Sequence, residues 1–143
     1  MQVACSRDAH KNFPDLENYN GQTEDLLIIE GDGIVPEAIE KVKTKTTPKR
    51  TFIMLFLGNG MYQEAAPVME QIVLDETDPN REVALAALFQ IDNEIGTRYA
   101  HLYSVNEGKL GGIANDILQD KSYLHERKTY FQALRGYIAE MYF

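Results

Sequence analysis

Near Gly60 the spacing of the apolar residues changes, and that change constrains the fold more than any single residue does. Ahead of it lie short, continuous apolar runs. Asp25-Leu26-Leu27-Ile28-Ile29-Glu30 is closed by Gly31-Asp32-Gly33, and Thr51-Phe52-Ile53-Met54-Leu55-Phe56-Leu57 by Gly58-Asn59-Gly60. Runs of this length bounded by turn residues read as strands covered on both faces. Between them Pro36 suits the first position of a helix, and Glu37, Ala38, Ile39 and Val42 supply about two turns. Strand, helix and strand over residues 25–60 make a βαβ unit, whose two strands are parallel with a right-handed crossover. Residues 1–24 hold Asn, Pro, Asp and Gly without periodicity, which predicts irregular chain or an edge strand.

After Gly60 a helical period takes over. Met61, Ala65, Val68, Met69, Ile72 and Val73 mark a helix ending near residues 75–78, where Asp78 is a natural cap and Pro79 fits the first turn of the next helix. Val83, Leu85, Leu88, Phe89, Ile95, Tyr99, Leu102 and Tyr103 carry that second helix, with Gly96 as its weak point. Residues 106–112 break the pattern; Leu110, Ile113, Ile117 and Leu118 resume it. Ser122 caps a last helix, on which Leu124, Phe131 and Ile138 lie seven apart and Leu134 and Met141 fill the intervening positions. The expected fold is therefore α+β. It is one domain over residues 1–143, a small sheet with one parallel βαβ pair in the N-terminal half, packed against a mainly helical part over residues 61–143.

Two local resemblances bear on this. Gly31-Asp32-Gly33-Ile34-Val35-Pro36-Glu37 resembles the Gly-Asp-Gly-Ile-Gly-Pro-Glu turn of isocitrate and isopropylmalate dehydrogenases over seven residues. Val35 replaces a family glycine, and the chain is less than half the length those enzymes need, so the resemblance implies only a strand entering a helix. Asp78-Pro79-Asn80-Arg81-Glu82-Val83-Ala84-Leu85-Ala86-Ala87-Leu88-Phe89-Gln90-Ile91 is similar to the turn and second helix of a HEAT-type repeat. Its preceding helix supplies the first helix, and Ala84 stands where that family often has arginine. With no second copy at a spacing of about 40 residues, the match implies an antiparallel helical hairpin rather than a repeat protein.

With 143 residues and 44% of them apolar, the chain is long enough to bury a core of its own. A net charge of −8 repels phosphate backbones and anionic membrane surfaces, which disfavours nucleic acid and membranes as partners. Cys5 is the sole cysteine, and His10, His101 and His125 show no ligand spacing on one helix, so no metal or other cofactor is expected. The opening residues lack the charged and apolar regions of a signal peptide, and no window reaches membrane-span length, which predicts a cytoplasmic protein. His125 and Glu126 beside Asp120 do not converge as an acid–base pair on a regular helix.

Residues 25–40 carry five acids and no base, residues 41–50 five bases and no acid, and residues 64–82 six acids against Arg81 alone. Glu70, Asp75, Glu76, Asp78 and Glu82 gather around one helix–helix turn as a candidate anionic surface. Tyr123, Tyr130 and Tyr137, seven apart, flank the last apolar stripe as candidate anchors, since tyrosine is enriched in interface cores. Without a convergent nucleophile, base or ligand set, the reading is a binding protein rather than an enzyme. It is of the immunity or antitoxin kind, an inhibitor covering the site of a basic toxic enzyme such as a nuclease. In that reading the acids steer association and the tyrosines anchor it. The alternatives are an assembly module dimerising through the last helix, and a small enzyme holding an anion on the amides of Gly58-Asn59-Gly60.

Overall fold

The computed structural model describes residues 31–125. A 3₁₀ turn, Gly31–Ile34, leads into α1, Val35–Val42, with Pro36 in its first turn as the sequence predicts. The basic connector then enters α2, Arg50–Asn59. This corrects the expected fold class, because residues 51–57, read above as the second strand of the βαβ pair, form a helix, and every regular element among the described residues is helical. The first expected strand, residues 25–30, lies outside the described residues. A continuous apolar run fits a core-buried helix as well as a buried strand, and composition tips the balance. Met54, Leu55 and Leu57 are strong helix formers, whereas only Thr51 and Ile53 are β-branched. Ile53, Met54, Phe56 and Leu57 are buried, with α1 and α4 as the helices that pack most closely on α2.

A second 3₁₀ turn, Gln63–Ala65, opens α3, Ala66–Leu74, which turns back into α4, Arg81–Ile91. The periodic stretch expected as one helix from Val83 to Tyr103 is two. Asp92 adopts an extended conformation, and its carboxylate accepts the backbone N–H of Ile95 at 3.1 Å, capping α5, Asn93–Tyr103. The last complete element is α6, Gly108–Leu118. A further helical turn begins at Ser122, where the sequence places a cap; its continuation lies outside the described residues.

These helices form three hairpins, α1–α2, α3–α4 and α5–α6. In each the second helix begins 15 residues after the first, at 35 and 50, 66 and 81, 93 and 108. The second helices pack on one another in order, α2 on α4 and α4 on α6, while α4 also packs against α3 and α5. The central helix is thus enclosed: every residue from Ala84 to Ile91 is buried. Its alanines let the neighbours come close, and a Cβ built on Gly58 would lie 2.7 Å from the Cα of Ala87.

The sequence hides a spacing of 31 that underlies the first two hairpins. Pro36 and Pro67, Val42 and Val73, Pro48 and Pro79, Arg50 and Arg81, Leu57 and Leu88 are equivalent pairs. Arg50 Nε donates to the Val42 carbonyl and Arg81 Nε to the Val73 carbonyl, each at 2.8 Å. The hairpin inferred from residues 78–91 is therefore one of a series, whose copies recur at 31 and 27 residues and not at the spacing of about 40 that a HEAT-type repeat implies. A third hairpin follows 27 residues after the second.

Gly96, expected as a weak point, is instead a point of close approach between α4 and α5. A Cβ there would sit 2.4 Å from the Phe89 Cα and 2.7 Å from its Cβ. In an open helix Gly→Ala gains about 1 kcal/mol. Here backbone blocks the methyl, and Gly96→Ala is expected to lose about 1–3 kcal/mol of stability, read from the urea midpoint. A raised midpoint would show that the two helices can separate freely.

Candidate functional site

The three hairpin turns, residues 43–49, 75–80 and 104–107, meet along one edge of the stack. The first two are joined by buried charge. Arg50 Nη1 and Nη2 donate to the two carboxylate oxygens of Asp78, each at 2.8 Å, with side chains 3% and 2% exposed. The Asn80 N–H also donates to Asp78 at 2.9 Å. Burial pushes the Asp78 carboxyl up, but hydrogen bonds from Arg50 and from the Asn80 N–H, with the charges of Arg50 and Lys45, hold it below the ordinary carboxylate value. Nearer solvent, Lys45 pairs with Asp75 at 3.1 Å, and Asp75 accepts the hydroxyl and backbone N–H of Thr77, which hold its pKa down to about 2. Beside the second and third turns, the Arg81 guanidinium at the start of α4 stacks over the ring of Tyr103 at the end of α5, 5.1 Å from its centroid.

This geometry redistributes the acidic surface expected from sequence. Asp78 is no exposed steering charge and no helix cap; its side chain serves Arg50, and Asn80 precedes α4 without a side-chain cap bond. Asp75 is shared with Lys45 and Thr77. Glu70, on α3, accepts the hydroxyl of Tyr99 on α5, a bond that with burial raises the tyrosine pKa to about 12. Glu76 faces solvent and Glu82 is half-buried. Tyr123 is half-buried and donates its hydroxyl to Asp116 at 2.5 Å; Tyr130 and Tyr137 lie outside the described residues, as do Cys5 and His10.

The Gly58-Asn59-Gly60 segment ends a helix instead of opening one. Gly60 N donates to Phe56 O, Met61 N to Gly58 O and Tyr62 N to Leu57 O, so these amides are committed to the end of α2 and do not face an anion. His125 Nε2, in contrast, does reach Asp120, at 2.6 Å. Asp120 stands before the helix with φ of 53°, so the regular-helix argument against their meeting does not apply. Both are exposed, and the pair is a surface contact. A cleft of about 250 Å³ between the first two turns is lined by Lys43, Lys45, Arg50, Gln71, Asp75 and Asp78, and each of its cations already faces a carboxylate. Among the described residues no three His, Cys, Asp or Glu side chains are grouped to hold a metal ion.

What distinguishes the edge is apolar. Leu74 at the end of α3 is 50% exposed, Leu102 near the end of α5 is 59% exposed, and Val105 in the third turn is 86% exposed. Sequence reasoning counted Leu102 as helix core, because it follows the same period as Tyr99 and Tyr103. The missed signal was the spacing of 31, which makes Arg81 the counterpart of Arg50 and places the turns side by side. No helix among the described residues is long and apolar enough to cross a membrane. Comparison with protein-family models, with curated proteins and with solved structures gives no match.

Proposed function

We propose that this chain is a small acidic protein-binding protein that receives its partner on the hairpin-turn edge. The observation that carries the reading is the exposure of Leu74, Leu102 and Val105 together on that edge, beside a buried ion pair that fixes the turns. Burying such side chains supplies affinity at about 25 cal/mol per Å². The net charge of −8 favours a basic partner through long-range steering, with Glu76 in the second turn and Glu82 just after it as steering carboxylates. The finer form is an inhibitor that neutralises a basic toxic enzyme by covering its site. Its support is the acidity, and the engagement of Lys45, Arg50, Asp75 and Asp78 at the first two turns in pairs with one another.

Selection of random twelve-residue peptides on the immobilised protein tests the reading. Enriched peptides are expected to combine Lys or Arg with Leu or Phe. Leu102→Ser with Val105→Ser is expected to weaken their binding by about tenfold, the scale of one anchor residue. Glu76→Lys with Glu82→Lys is expected to slow association and flatten its salt dependence. Failure to enrich any peptide, or enrichment indifferent to the Leu102 and Val105 changes, would overturn it.

A further inference from the structure

Arg50 and Arg81 are equivalent, yet they are finished differently. Each Nε is locked on the carbonyl of a valine eight residues earlier, so both guanidinium planes are held in place before anything else binds. Arg50 then receives both oxygens of Asp78 from the next hairpin. Arg81 receives no carboxylate among the described residues: its Nη1 and Nη2 make no hydrogen bond or ion pair there, and its guanidinium lies over the face of Tyr103. The reason lies in the third turn. Asp78 stands three residues before α4, and the residue three before α6 is Val105, which has no group to offer and points into solvent.

The geometry points to Arg81 as a receptor for a carboxylate of the partner, an Asp or Glu side chain flanked by apolar residues that settle on Leu74, Leu102 and Val105. The inference deepens the proposal above and rests on it. The planar fork suits a carboxylate in two-point contact, and Asp78 on Arg50 shows the same fork filled that way within this molecule. Leu74 follows Val73, whose carbonyl holds Arg81, while Leu102 and Val105 lie within two residues of Tyr103, so each exposed apolar residue is close in sequence to a residue that Arg81 touches. The acidic body selects a basic partner at long range. Arg81 sets its register at short range, because only a segment with a carboxylate between apolar side chains satisfies both.

Two blocked peptides, Lys-Leu-Asp-Leu-Lys and its twin with Asn for Asp, test this by amide chemical-shift titration of the full chain. The Asp peptide is expected to bind about tenfold more tightly, as for a hydrogen bond to a charged group, with shifts centred on Arg81 and residues 102–107. Arg81→Gln is expected to bring the ratio to about one. Should Arg81→Gln fail to fold, Val105→Asp gives the same answer, since it supplies the missing carboxylate from within. It is expected to raise the melting temperature and abolish the preference. A preference that survives either substitution overturns the inference. Equal binding of both peptides to the unaltered protein overturns it while leaving the docking edge in place, and binding of neither removes the docking edge itself.

Discussion

Asp78→Ala is expected to destabilise the protein by about 3–5 kcal/mol, because it leaves the Arg50 guanidinium buried between two hairpins with its charge unanswered. Arg50→Ala is expected to cost a similar amount from the other side. The double replacement Arg50→Met with Asp78→Leu tests whether the cost is that of an orphaned charge. Two apolar groups of similar volume are expected to recover most of the lost stability, since burying an ion pair gains little over burying hydrocarbon. Chemical denaturation of the four proteins gives the coupling directly, and additive effects would show that the two side chains do not act as a unit.

The same pair sets a pH dependence. The Asp78 carboxyl titrates below its ordinary value of 3.8 in the folded protein, so its contribution is fully present above that pH and is lost as the pH falls through the folded value. Asp75, held at about 2, acts in the same direction, though it lies at the surface where solvent screens it. The acid limb of the stability curve, below about pH 4, is therefore expected to be shallower for Asp78→Asn than for the unaltered chain. An unchanged limb would mean that other carboxylates govern acid unfolding.

Leu88→Ala is expected to cost about 2–5 kcal/mol, toward the upper end of that range, because the cavity it opens has little room to collapse. Leu88 is fully buried on α4, and helices pack on α4 from the first hairpin, its own hairpin and both helices of the third. Its equivalent on α2, Leu57, is also fully buried but has fewer helices around it. Thermal unfolding of Leu88→Ala is expected to remain a single transition at lower temperature. Two separate transitions would show that the hairpins unfold independently, which the enclosure of α4 argues against.

Much of the helical pattern was legible because a period of 3.6 is written locally. Val68, Met69, Ile72 and Val73 place α3; Val83, Leu85, Leu88 and Phe89 place α4, although Pro79 lies before its Asn80 cap and not in its first turn; Leu110, Ile113 and Ile117 place α6. The break at Asp92 escaped, because apolar residues continue past it in nearly the same phase and only the cap bond to Ile95 marks the boundary. The candidate site was half legible. The sequence brought Asp75, Glu76 and Asp78 to one turn, but charge counting gives no direction to a carboxylate. It could not distinguish Glu76, which faces water, from Asp78, which is buried on an arginine 28 residues away.

By itself, then, the sequence determined helix over residues 66–74, 81–91 and 108–118, a negative net charge and the residues of one turn, since all of these follow from composition and from neighbours within a few positions. Tertiary structure decided the rest. Whether the run ending in Phe56-Leu57 is helix or strand depends on what encloses it, because burial on every side removes the periodicity that separates the two. Which arginine is satisfied and which stays open depends on the residue that the next hairpin presents, Asp78 to Arg50 but Val105 at the matching position in the third turn, and that choice is made by stacking between segments far apart in the chain.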